Sequence, residues 1–152
     1  MIKKILLFAG CLLPWFASSI LPLDYNYYTK IKLPFFAPPK VFYPIAWTII
    51  YIIIAITVYN IVISYKFKNI PKNYKLTLLI NYILNQSYTI LFFGLKNHFL
   101  GFVSCLATFI STLFLFEETS LLNNKMSKLL YLYILLSLFA TILSLSIYLL
   151  NI

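Results

Sequence analysis

The stretch LLYLYILLSLFATILSLSIYLL, residues 129–150, contains no Lys, Asp, Glu or His. About 20 apolar residues at 1.5 Å rise per residue cross the hydrocarbon core of a bilayer, so this segment is long enough to span a membrane as one helix. Its polarity is not uniform. Tyr133, Ser137, Thr141, Ser144 and Tyr148 recur at intervals of four, four, three and four, which gathers them on one helical face. Hydrogen-bonding groups find no partners in lipid. The stripe therefore predicts other helices packed against it.

Four more stretches meet the same criterion: Ile5–Leu23, Val41–Tyr65, Leu76–Leu95 and Phe99–Phe116. Barrel strands are about 10 residues long and alternate strictly, and nothing in the chain alternates. The expected fold is all-α, a five-transmembrane-helix bundle. Residues 1–152 form a single integral-membrane domain, with a loop at 24–40 between the first two spans. The other connections are short, so consecutive spans are antiparallel neighbours. Composition agrees: 62% of residues are hydrophobic and 10% charged, against about a quarter charged in a soluble domain. No internal repeat divides the five spans into matching halves, which argues against an inverted-repeat transporter.

The formal charge of +9 comes from twelve lysines against Asp24, Glu117 and Glu118. Nucleic-acid proteins cluster basic residues on one face, whereas these lysines stand at the borders of apolar runs, where interfacial anchors belong. Lipid, not nucleic acid, is the expected partner. Lys3, Lys4, Lys66, Lys68, Lys72, Lys75, Lys125 and Lys128 fall on the N-terminal side of the bundle, against Lys30, Lys32, Lys40 and Lys96 on the other. The excess predicts a cytoplasmic N-terminus and an outward-facing first loop. Lys-only basic residues with abundant Ile, Asn, Tyr and Phe hint at an AT-rich genome, and so at a bacterial cell membrane. A secretory signal is the alternative for the first span, since Phe8-Ala9-Gly10-Cys11 faintly resembles a lipoprotein cleavage box. Its apolar run continues to Leu23, which favours a retained helix. Cys11 and Cys105 both fall within spans and read as small apolar packing residues.

Other spans carry stripes too: Tyr43, Trp47 and Tyr51 in the second, Asn81, Asn85 and Tyr88 in the third, Ser104, Thr108 and Ser111 in the fourth. Most of these Ser and Thr residues suit interhelical hydrogen bonding. Trp47, Asn85 and Tyr88 suit a pocket better, in which aromatic walls stack on a flat apolar ligand and an amide orients it. Ionisable residues are absent from the spans, which argues against a proton-relay or ion-coupled carrier. His98 has no Cys, Asp or Glu at ligand spacing, so no metal site is expected. No nucleophile–base set converges on one place, and no catalytic residue is assigned. The aromatic, proline-rich loop, with Pro34, Phe36, Pro38 and Pro39, is expected to run extended and stiff. It reads either as a lid over the bundle mouth or as an interfacial aromatic belt.

The chain resembles the tryptophan-rich sensory protein / translocator protein family, also called the peripheral-type benzodiazepine receptor family. The resemblance is carried by Leu33-Pro34-Phe35-Phe36-Ala37-Pro38-Pro39 and then Trp47-Thr48-Ile49-Ile50-Tyr51. Leu84-Asn85-Gln86-Ser87-Tyr88 follows with Phe92-Phe93-Gly94, then Tyr131-Leu132-Tyr133 and Phe139-Ala140-Thr141-Ile142-Leu143. It implies a dimeric five-helix sensor or translocator that binds porphyrins and sterol-like molecules between its helices, as ligand rather than cofactor. By motif match, Trp47 and Asn85 would contact the ligand, with Tyr51, Tyr88, Ala140, Leu143 and Ser144 lining the pocket. Some members are reported to break down porphyrin in light with a pair of pocket tryptophans. Leu136 holds the second of those positions here, so a non-enzymatic role is expected. The alternatives are a structural or partner-binding role without a dedicated ligand, or light-dependent porphyrin breakdown.

Overall fold

The computed structural model describes residues 2–152, and helix is the regular secondary structure found among them. The α-helices are α1 (Ile2–Leu12), α2 (Phe42–Asn69), α3 (Lys72–Thr89), α4 (His98–Leu122), α5 (Asn124–Ser127) and α6 (Tyr131–Leu150). A 3-10 segment, Leu13–Ile20, prolongs α1, and a π turn, Ile90–Gly94, prolongs α3. Another 3-10 turn, Lys128–Leu130, joins α5 to α6. Five continuous rods result: Ile2–Ile20, Phe42–Asn69, Lys72–Gly94, His98–Leu122 and Asn124–Leu150. All are long and apolar enough to cross a membrane. The five-span helical architecture read from the sequence is the one observed.

The departures lie at the ends, in helix type and in one neighbour relation, since α2 and α3 follow each other in the chain without packing backbone to backbone. The first rod is α-helical only to Leu12 and stops at Ile20 rather than Leu23. Pro14 brings no N–H and its ring collides with the carbonyl four residues back, so the chain tightens into a 3-10 path. α2 has helical geometry up to Tyr65, the expected end. Lys66 then breaks it at φ 57° and ψ 140° before the chain resumes to Asn69. α4 runs past Phe116 through both glutamates to Leu122. A carboxylate ends an apolar run, not a helix.

The first loop is not extended throughout. Asp24 accepts a hydrogen bond from the Asn26 N–H at 3.1 Å and caps a 3-10 segment over Tyr25–Lys30. A second turn follows, closed by the Ala37 N–H on the Pro34 carbonyl at 3.0 Å. A short polar side chain captures a nearby amide in the first turn, and Pro34 begins the second.

The surface of the bundle is apolar where that of a soluble one is polar, and polar groups share the interior with an apolar core. Ile45, Ile49 and Ile52 of α2, Ile110 and Leu113 of α4, and Leu135, Leu138 and Ile142 of α6 face outward. Asn81, Ser104, Thr108, Thr112, Ser137, Thr141 and Ser144 are buried. The main seams pack α4 against α3 and α6, while α1 lies on α2, its 3-10 extension leans on α3, and α2 meets α6 sparsely. Small residues along α4 and α6 let those two backbones approach closely, the usual basis of helix association in lipid. At the head of α4, a Cβ on Gly101 would stand 2.8 Å from the Phe92 ring. Glycine is the residue that permits that contact.

Candidate functional site

A cavity of about 490 Å³ opens between the helices beneath the first loop, a size in the range of small-molecule sites. α2 supplies one wall through Tyr43, Trp47, Thr48 and Tyr51. Tyr43, Trp47 and Tyr51 are four apart and so share a face, with Thr48 at its edge. Trp47 and Tyr51 lie 6.0 Å apart between ring centroids, and Tyr51 continues the aromatic surface to Trp15 at 5.8 Å. α3 contributes Asn85, Tyr88 and Thr89, α4 contributes Cys105 and Thr108, and α6 contributes Ser137, Ala140 and Leu143. Trp47, Tyr51, Asn85, Tyr88, Ala140 and Leu143 are thus brought together around one space. Ser144 lies in the buried α4–α6 seam and is not among the lining residues.

Asn85 stands where the cavity meets a closed hydrogen-bond network. Its Oδ1 accepts from the Tyr51 hydroxyl at 3.1 Å and from Gln86 Nε2 at 3.1 Å, and its Nδ2 donates to the Tyr133 hydroxyl at 3.2 Å. Tyr133 donates onward to Asn81 Oδ1 at 3.0 Å. Asn81 Nδ2 donates to Ser111 Oγ at 2.8 Å and Thr112 Oγ1 at 3.1 Å. Both hydroxyls end on the Thr108 carbonyl. Gln86 meanwhile ties α3 to the 3-10 segment, donating to the Trp15 carbonyl at 3.0 Å and accepting from the Ser18 N–H at 2.9 Å. That bond recovers a backbone donor in a tightened stretch, where it would otherwise be costly to bury. Asn81 and Asn85 share a stripe but differ in situation: one is enclosed, the other borders open space.

The first loop is fastened on three sides. Asn151 at the end of α6 clasps Lys32, accepting its N–H and donating to its carbonyl, both at 2.9 Å. Tyr27 reaches His98 Nε2 at 2.7 Å, at the head of α4. Asp24 pairs with Lys30 at 3.1 Å and Lys96 at 3.9 Å. The hydrogen bond from Lys30 holds the Asp24 carboxyl below the usual carboxylate range, with both lysine charges adding to it.

Of the expected lid residues, Phe36 packs inward near Tyr28, Phe92, Leu143 and Ile147, with its ring 6.4 Å from Phe139. Phe36, Pro34, Pro38 and Pro39 do not line the cavity. The loop residues that do are Tyr25, Tyr28 and Lys40. The Tyr28 hydroxyl is bonded to that of Tyr43, and Lys40 Nζ donates to Asn26 Oδ1 at 2.7 Å. Sequence reasoning also missed Phe16, Ser18 and Ser19 on the 3-10 segment. Nothing periodic marks a non-α stretch, although Pro14 signals the change of geometry. Leu136 stands apart, in a small apolar groove between α2 and α6 with Phe42, Ile45, Ala46, Ile49, Ile50 and Leu132.

Five apolar rods around an aromatic-walled cavity define a multi-pass integral membrane protein with a ligand-sized internal space. The TspO/MBR family model matches residues 4–150, and the chain belongs to that family. It is similar to the tryptophan-rich protein TspO of Bacillus cereus, 38% identical over 138 residues covering 90% of this chain and 89% of the relative. TspO of Archaeoglobus fulgidus is 36% identical, with 83% and 80% covered. The uncharacterized membrane protein YtaB of Bacillus subtilis is 32% identical, with 86% and 84% covered.

Proposed function

We propose that the protein binds a tetrapyrrole or a similar flat apolar ligand in the intrabundle cavity and acts as a sensor or translocator for it. The observation that carries this reading is the cavity itself. The indole of Trp47 and the phenol of Tyr51 line one side, and the Lys40 ammonium stands near the loop. A porphyrin offers a wide π-face to stack on such rings and carboxylates to meet a lysine. Titration of the detergent-purified protein with protoporphyrin tests it. Saturable binding, weakened at least tenfold in the Trp47→Ala, Asn85→Ala double variant, is the expected result. Equal affinity in both proteins would sink the site.

We take the role to be non-enzymatic and the porphyrin to be a ligand rather than a cofactor. The position that light-driven breakdown would fill with a second tryptophan is Leu136, which lies outside the cavity lining. Bleaching of the bound pigment under illumination faster than free pigment in the same detergent would reverse this. The lysine asymmetry supports a cytoplasmic N-terminus, the composition and the bacterial relatives support a bacterial cell membrane, and the family resemblance supports a homodimer. Cysteine accessibility at the two ends of the bundle and cross-linking in membranes check these two points.

A further inference from the structure

The first rod and α2 are joined along only part of their length. α1 lies on α2, and Phe8 meets Tyr59 edge to face at 5.7 Å. Beyond Pro14 the chain tightens from about 3.6 to about 3.0 residues per turn, so the face that α1 turns to α2 is not continued. The Leu13–Ile20 segment packs on α3 instead. Among the described residues, every hydrogen bond that leaves this segment goes to α3 or to the first loop. Tyr82 and Gln86 donate to the Pro14 and Trp15 carbonyls, Gln86 and Thr89 meet Ser18, and Tyr25 donates to the Ser18 carbonyl. Aromatic rings span the gap to α2, with Phe16 and Trp15 standing 5.2 and 5.8 Å from Tyr51.

On the loop side of those rings the cavity is open. Of its lining residues, Ser19, Lys40 and Pro44 are the exposed ones. They stand on two facing edges, Ser19 at the end of the first rod and Lys40 and Pro44 at the head of α2. Exposed side chains beside this slot are apolar, Ala17 and Ile20 on one edge and Val41 on the other. The loop end, by contrast, is shut by the Asn151 clasp, the Tyr27–His98 bond and the Asp24 ion pairs. We propose that the slot is a lateral portal through which a ligand dissolved in the bilayer enters and leaves the cavity. An apolar ligand concentrates in lipid rather than water, so a side entrance meets it where it already is. Lys40 Nζ at the upper edge is bonded to the neutral Asn26 amide, with no carboxylate in ion-pair range among the described residues. Its charge holds the ligand's acidic groups at headgroup level while the apolar body passes between the rods. The proposal rests on the ligand-binding reading above and adds the route.

Rates read a portal directly, because a narrower passage slows entry and exit alike. Protein in phosphatidylcholine vesicles is mixed with protoporphyrin and tryptophan quenching is followed by stopped flow. Release is followed on transfer to excess empty vesicles. Ser19→Phe and Pro44→Phe each place a ring on one edge of the slot. Either is expected to slow association and dissociation together, by about fivefold or more, and either suffices if the other does not fold. Asn151→Ala, which frees the loop, leaves both rates within about twofold of wild type. Unmoved rates in the edge variants overturn the portal, and faster rates in Asn151→Ala beside them put the entrance at the loop. Faster dissociation in the edge variants also overturns it, since that marks residues that hold the ligand rather than bound its path. In each of these cases saturable binding by the wild type leaves the ligand reading standing. Failure of the wild type to saturate removes both.

Discussion

The inner part of the bundle and the part beneath the first loop are built from the same residue types and put them to different uses. Around Asn81, amide, phenol and hydroxyls are fully matched: every bond ends on another buried group, down to the Thr108 carbonyl. Around Trp47, aromatic faces look into open space, and Asn85 borders that space while bonded to Tyr51, Gln86 and Tyr133. Polar residues in a membrane helix therefore do not mean one thing. Closed networks specify how helices seat against each other, and an aromatic wall left open marks where something else docks.

Breaking the closed side carries the largest expected effect. Asn81→Ala leaves the Tyr133 hydroxyl without its acceptor and removes the donor to Ser111 and Thr112, at a cost of about 2–3 kcal/mol of stability. Thermal unfolding in detergent measures it, and a variant as stable as wild type means the network is not what seats α3 on α4 and α6. The loop-side region depends instead on apolar contact. Gly101→Ala drives a methyl into the fully buried Phe92 ring and is expected to cost about 1–3 kcal/mol, read in the same assay.

The smallest effect belongs to the loop's ion pairs. Asp24 has its folded pKa lowered, chiefly by Lys30. Its tethering contribution is therefore present above the ordinary carboxylate range and lost as pH falls through the folded value. Asp24→Asn mimics the acid form at neutral pH, and tryptic cleavage after Lys30 or Lys32 should rise by no more than about twofold, since exposed pairs are weak. A larger rise would make the pair, rather than the Asn151 clasp and the Tyr27–His98 bond, the main fastening of the loop.

These differences also mark what the sequence discloses. The five spans are legible because bilayer thickness dictates their length, and the stripe spacing placed Trp47, Tyr51, Asn85 and Tyr88 around a common interior. Which polar residues close on one another was not legible. Asn81 and Asn85 occupy equivalent places on one stripe, and only the approach of Tyr133, Ser111 and Thr112 from other helices separates their roles. The parts of the wall given by Phe16 and Ser18 escaped for a related reason. They sit on a 3-10 stretch whose docking is decided by a distant partner, Gln86, not by any local period.

The most direct test sets the two regions side by side, by titrating protoporphyrin into Trp47→Ala and Ser111→Ala and recording the thermal unfolding of each without ligand. The account predicts a split. Trp47→Ala loses at least tenfold in affinity, and its stability falls by no more than a part-buried ring packed on Tyr51 and Tyr133 is worth, about 1–3 kcal/mol. Ser111→Ala loses stability while a folded sample binds as wild type does. Affinity and stability falling together in both variants, or affinity unmoved in Trp47→Ala, would contradict the division between a closed structural network and an open binding site.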